Sequence, residues 1–236
     1  MTSDNIIPLR DDRLTYLCSD KDEGRQIGRI LSDTMKISRG MIHVLKQNQG
    51  IYLNGIPART VDTVSRGDEV KLLLNCRQDA PKAAPEEIPI RILYEDGAII
   101  AVDKPPGMVL HTTAAHRTGT LSNALAYYML QNKISGPIHP VSRLDKDTSG
   151  IVLFARNGYV QEALKRQGEN GTFKKKYLGL VCPAPQQDSG RISLPIARMP
   201  GSIITRTISQ EGAFAVTDYC VKKDRKSTRL NSSHRL

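Results

Sequence analysis

The stretch "VSRLDKDTSGIVLFAR", Val141 to Arg156, sets a compact knot of charge against an apolar run. Asp145 sits between Arg143 and Lys146, Asp147 follows, and Thr148, Ser149 and Gly150 lead into Ile151–Val152–Leu153–Phe154–Ala155. A short apolar run bounded by turn residues reads as a fully buried strand. A surface turn entering a core strand accounts for most such knots, so the surroundings decide. Upstream, "IRILYEDGAIIAVDKPPGMVLH" gives two short strands around Glu95–Asp96–Gly97 and ends at the rigid turn Lys104–Pro105–Pro106–Gly107. "TLSNALAYYML" places Leu121, Leu125 and Tyr128 on one helical face, with Thr120 as N-cap. Downstream, Val160, Ala163, Leu164 and Gln167 mark another helix, and "KKYLGLV" returns to strand. Strands with helices interspersed at irregular spacing predict an α+β domain with a mixed sheet, not a doubly wound one.

Composition bounds what this domain belongs to. The chain has 236 residues, 39% hydrophobic and 25% charged, enough for one large or two modest domains. It has no apolar run long enough to span a bilayer, and the polar start MTSDNIIPLRDDR does not read as a signal peptide. Cys18, Cys76, Cys182 and Cys220 are scattered without a CxxC pair, which suggests neither zinc nor a disulfide framework and fits a reducing cytoplasm. The formal charge is +10, from 34 basic and 24 acidic residues, and favours a polyanionic partner. Arg225, Lys226, Arg229 and Arg235 supply four of those charges, leaving +6 on the rest of the chain.

The N-terminal segment reads as a small domain of its own. Ile27, Ile30, Leu31 and Thr34 fall at helical spacing, and Ser38 caps a second helix with Met41, Ile42 and Leu45 on one face. Lys36, Arg39, His43 and Lys46 give these helices a basic surface. "GIYLNGIPA" carries an Asn54–Gly55 hairpin turn, and Gly67–Asp68 turns into a strand over Val70–Leu74. Between this domain and the next, "RQDAPKAAPEEIP" holds Pro81, Pro85 and Pro89 without apolar periodicity, which places a linker over 77–88. The sequence contains no Gly-rich phosphate loop, no HExxH and no nucleophile elbow.

The ordered run SRG…LNG…RGD from Ile37 to Leu72 resembles the S4 RNA-binding domain. "YEDGAIIAVDKPPGMVLH", "RLDKDTSGIVLFAR" and "KKKYLGLV" then follow in the order and spacing of RluA-type RNA pseudouridine synthases, and the resemblance runs from about residue 25 to 224. Many members carry His before the motif's Arg, where this chain has Ser142. The resemblance implies an S4-like domain over 1–76, the linker over 77–88 and a synthase domain over 89–224. It also implies isomerisation of uridine to pseudouridine in RNA, ribosomal RNA ahead of transfer RNA. The chain would act as a monomer, away from any membrane.

That reaction breaks the C1′–N1 bond, turns the uracil and rejoins it through C5. It is redox-neutral and calls for no metal or cofactor. It does need a carboxylate near ribose and base, shielded enough to act as nucleophile or base. The resemblance gives this role to Asp145, and both chemical options stay open. Burial of that carboxylate demands a cationic partner. Arg143 is nearest in sequence, but the family implies that it enters the RNA stack vacated by the flipped nucleotide; the bland alternative is a phosphate or surface ion-pair residue. Tyr177 would stack on the uracil, or else be a core tyrosine. Lys36, Arg39 and Lys46 would meet phosphate. Lys104 and His111 read as RNA-facing or structural, and Asp147, Thr148 and Ser149 as ordering the turn.

The family's cation for the Asp is an Arg in a later TGRxHQIR motif, after a GxAxTxY segment. Gly212, Ala215, Thr217 and Tyr219 match that segment, yet the chain continues only as "DRKSTRLNSSHRL", without strand pattern. The expectation is therefore an incomplete synthase domain, a non-native disordered tail over 225–236 that resembles translated adapter sequence, and no turnover by this chain. A non-catalytic RNA-binding protein is the alternative function.

Overall fold

The computed structural model describes residues 6–10, 13–74, 83–202 and 205–223, so the tail from Arg225 lies outside the described residues. It has two compact units, 1–174 and 175–236.

The first unit opens with β1 (Ile6–Arg10) and β2 (Arg13–Leu17), then α1 (Ile27–Arg29), whose helical course continues through Ile30–Thr34. α2 (Arg39–Gln47) begins where the Ser38 side chain accepts from the Met41 N–H. β3 (Ile51–Leu53) and β4 (Ile56–Pro57) form the hairpin at Asn54–Gly55, where φ of 51° and 81° suits the mirror-image turn. β5 (Glu69–Leu73) completes a sheet of order β1-β2-β5-β3-β4. Its core gathers Leu14, Ile27, Ile30, Leu31, Leu45 and Leu72. Asp22 is buried at its edge, accepting from the Tyr16 hydroxyl at 2.7 Å and from Arg25 at 2.9 Å. Burial pushes its carboxyl up, but the Ser19 N–H, the Tyr16 and Ser19 hydroxyls and Arg25 outweigh that and leave it below the usual range.

The same unit holds β6 (Arg91–Glu95), β7 (Ile99–Lys104), α3 (Leu121–Gln131), β8 (His139–Pro140), β9 (Gly150–Ala155) and α4 (Gly158–Glu169). The sheet order is β6-β7-β9-β8, and α3 packs Leu121, Leu125 and Met129 against Ile100, Val102, Val152 and Phe154. Thr120 caps α3 by accepting from the Asn123 N–H. Asn123 also donates to the Ala84 carbonyl at 2.8 Å, and Glu86 accepts from the Gly119 N–H at 2.9 Å, so residues 84–86 are fastened to the start of α3. The second unit contains β10 (Ser189–Arg198), β11 (Arg206–Ile208) and β12 (Ala213–Cys220), in the order β11-β10-β12.

The α+β class is as expected, but every described strand pairing is antiparallel where a mixed sheet was expected. β9 is not buried on both faces. Val152 and Phe154 are enclosed, while Ile151, on the other face of the pleat, is 65% exposed. Nor does "KKYLGLV" form a strand: residues 174–181 have no regular structure, and Leu180 is 97% exposed. A strand exists only with a neighbour for its backbone groups, and among the described residues this segment has none.

Candidate active site

The β7–β9 register brings the two motifs together. Lys104, at the end of β7, faces Gly150, at the start of β9, so the Lys-Pro-Pro-Gly turn and the Asp145 loop leave the sheet at the same end. Gly150 has φ 126°, a conformation that a side chain would strain, which explains the glycine at the loop's exit.

Four contacts hold the loop. Val141 donates its N–H to the Leu153 carbonyl at 2.8 Å, and Leu144 packs on the core of the second sheet. Thr148 N–H donates to the Asp145 carbonyl at 3.1 Å, closing the turn. The fourth is Lys104. Its side chain is wholly buried, and Nζ donates to the carbonyls of Pro105 at 3.0 Å, Met108 at 2.8 Å and Lys146 at 2.8 Å. One ammonium thus ties the proline turn to the residue after Asp145. Burial lowers the pKa of Lys104, and the neighbouring carboxylates of Asp147 and Asp145 work against that shift. Of the two options for Lys104, the buried structural one holds. The turn is ordered by backbone and by Lys104; among the described residues the side chains of Asp147, Thr148 and Ser149 make no hydrogen bond within it.

With Leu144 turned inward, its neighbours Arg143 and Asp145 are both exposed. The expected shielding of Asp145 is absent, and among the described residues its carboxylate forms no hydrogen bond or ion pair, with Arg143 or any other cation. The charge of Arg143 bears instead on His111. Burial lowers the pKa of that ring and Arg143 lowers it further, while its Nδ1 lies 3.0 Å from the Ser122 hydroxyl.

The other expected residues are separate from this loop. Lys36, Arg39 and Lys46 are exposed on the N-terminal module, around and along α2. Tyr177 belongs to the second unit and is 65% exposed, so it is no core tyrosine. A cleft of about 280 Å³ between residues 87–90 and α3 includes none of these residues. The site around Asp145 is an open surface carrying the exposed carboxylates of Asp145 and Asp147 and the exposed guanidinium of Arg143, suited to a large partner that brings its own cover. Among the described residues no cluster of His, Cys, Asp and Glu is placed to hold a metal ion, and no helix is long and apolar enough to cross a membrane.

Comparison with known proteins finds matches to both parts of the chain. The profile of the RNA pseudouridylate synthase family matches residues 98–235, and that of the RluD ribosomal pseudouridine synthase N-terminal domain matches 15–70. An uncharacterized RNA pseudouridine synthase of Aquifex aeolicus is 36% identical over 190 residues, covering 79% of this chain and 60% of that protein. YhcT of Bacillus subtilis, also an uncharacterized RNA pseudouridine synthase, is 30% identical over 92% of this chain and 72% of its own length. The ribosomal large subunit pseudouridine synthase D of Xanthomonas campestris is 30% identical over 94% of this chain and 67% of its own. The chain therefore spans about three fifths to three quarters of the length of these relatives. With the braced Asp145 loop at the mouth of the β7–β9 pair and both profiles in chain order, this chain belongs to the RNA pseudouridine synthase family.

Proposed function

We propose that the Asp145 loop isomerises uridine to pseudouridine in structured RNA, ribosomal RNA ahead of transfer RNA, with Asp145 as the catalytic carboxylate. The carrying observation is the geometry of the loop: the Asp145 carboxylate, on a turn fixed from beneath by Lys104, stands out from the surface two residues after the exposed Arg143. An RNA fold closing over it supplies the exclusion of water that the free protein lacks. Asp145 then either attacks C1′ or removes a ribose proton. The C1′–N1 bond breaks, the uracil turns, C1′ bonds to C5, and the C5 proton leaves as N1 gains one. Arg143 fills the stack left by the flipped nucleotide, recovering part of the few kcal/mol that flipping costs. Tyr177 stacks on the uracil. The name of the Xanthomonas relative favours ribosomal RNA.

Residues 1–76 serve as an S4-like RNA-binding domain, 77–88 as linker and 89–224 as catalytic domain of a cytoplasmic monomer. Lys36, Arg39 and Lys46 contact phosphate. Reversing all three to Glu is expected to flatten the slope of log affinity against log salt by about 2, since fewer counterions are released. A titration of RNA binding from low to moderate salt measures this, and an unchanged slope returns the three residues to a merely solvated face.

A second reading, RNA binding without catalysis, is favoured by the unpaired state of Asp145. Catalysis at this loop needs a cation paired with the carboxylate, and Lys104, which feels the charge of Asp145, gives its N–H groups to three carbonyls instead. On that second reading the 236-residue chain assayed alone binds RNA without forming pseudouridine. Turnover by it would show that RNA or the chain's own residues complete the site.

A further inference from the structure

We propose that α4 is a strut that fixes the basic face of the N-terminal module relative to the Asp145 loop, so that RNA held on one is presented in register to the other. The helix starts two residues after β9, where the buried Asn157 accepts from the Val160 N–H at 3.0 Å. Gln161 Nε2 donates to the Pro140 carbonyl at 2.9 Å, directly before the loop begins. This side of α4 is thus built onto the two strands from which the Asp145 loop departs.

Its other contacts run to the N-terminal module. Tyr159 packs against the core of the first sheet, and burial raises the pKa of its hydroxyl. At Gly158 an added Cβ would stand 4.0 Å from the Met41 sulfur, so the start of α4 lies beside α2. Arg166 Nη1 donates to the Lys36 carbonyl at 3.2 Å. Lys36 itself is in the left-handed region, with φ 57°, three residues before α2. Tyr159 and Arg166 are seven residues apart, two turns along one helical face. That face therefore grips the module at two points, one in its core and one on the backbone of a residue assigned to phosphate.

The coupling to RNA rests on the function proposed above; the strut itself does not. In 15N relaxation of the free 236-residue chain, amides of residues 14–74 and 83–174 should share one rotational correlation time. Changing both Tyr159 and Arg166 to Ala should split it in two. Two times in the unaltered chain, or one in the double variant with its α2 amide shifts intact, overturn the strut. Arg166→Ala alone removes a single surface hydrogen bond and leaves both cores whole. It is expected to weaken binding to deproteinised large-subunit ribosomal RNA about fivefold, the worth of one such bond, because the second module is then positioned less firmly and its effective concentration at the RNA falls. Affinity for a short uridine-centred hairpin, too small to reach both modules, should not change. Equal losses on both RNAs, or none on either, overturn the coupling. An unaltered chain that binds neither RNA overturns the RNA reading instead, and the relaxation measurement still decides the strut.

Discussion

Asp145→Asn is expected to abolish pseudouridine formation while leaving RNA affinity within about fivefold, since a surface charge contact contributes roughly 0–1 kcal/mol. The amide keeps the shape of the carboxylate and the backbone bonds that close the turn, of which the Thr148 N–H to Asp145 carbonyl bond is one. It is neither a useful nucleophile toward C1′ nor a base for a ribose proton. The proposed phosphate contacts lie on other residues, so affinity and product formation should separate cleanly. Fluorescence anisotropy of labelled RNA with the purified chain measures the affinity. A parallel loss of binding would mean that Asp145 organises the surface instead of reacting.

Lys104→Met is expected to lower product formation about 100-fold, the scale of a misplacement of about 1 Å at a reacting group. The methionine keeps most of the buried stem but removes the ammonium, leaving the carbonyls of Pro105, Met108 and Lys146 without that donor. These carbonyls are only part-buried, so each one left unpaired costs at most about 1–3 kcal/mol, and the loop should shift until water reaches them. Amide hydrogen exchange at residues 143–149 should accelerate, while exchange in β2 and β5 stays as it was. Unchanged exchange in the loop would show that the proline turn and Leu144 hold Asp145 without help.

Local chemistry made much of this fold readable. The Ser38 and Thr120 caps, the Asn54–Gly55 hairpin and the turn at Glu95–Gly97 each depend on a few adjacent residues, and each formed where expected. Other features depend on what lies across space. Ile151 looks buried in sequence because its neighbours are apolar, yet only the Val152–Phe154 face meets α3. "KKYLGLV" has strand chemistry but no described partner. In β10, Pro195 argues against a central strand. The strand tolerates it because the register with β11 ends at Ile196, and beyond it Pro195 needs only to accept, its carbonyl taking the Ser209 N–H at 3.1 Å. The burial of Lys104 was legible in principle. It falls in step with Ile100 and Val102 on the enclosed face of β7, and period two alone points its side chain inward. What sequence could not supply was the set of carbonyls waiting there.

The same division holds for the site. The motif identified Asp145 and Arg143, and alternation about Leu144 set both outward. Exposure of Asp145 was not foreseen, because a catalytic carboxylate suggests enclosure and the sequence does not say which partner encloses it.

If this gene's product makes pseudouridine through Asp145, the modification must disappear with that carboxylate. Mapping pseudouridine at single-nucleotide resolution in ribosomal and transfer RNA, from cells with the intact gene and from cells carrying only the Asp145→Asn change, tests it most directly. At least one position, in ribosomal RNA, is expected to be modified in the first and to remain uridine in the second. Identical maps, with the protein present at equal levels in both cells, would contradict it.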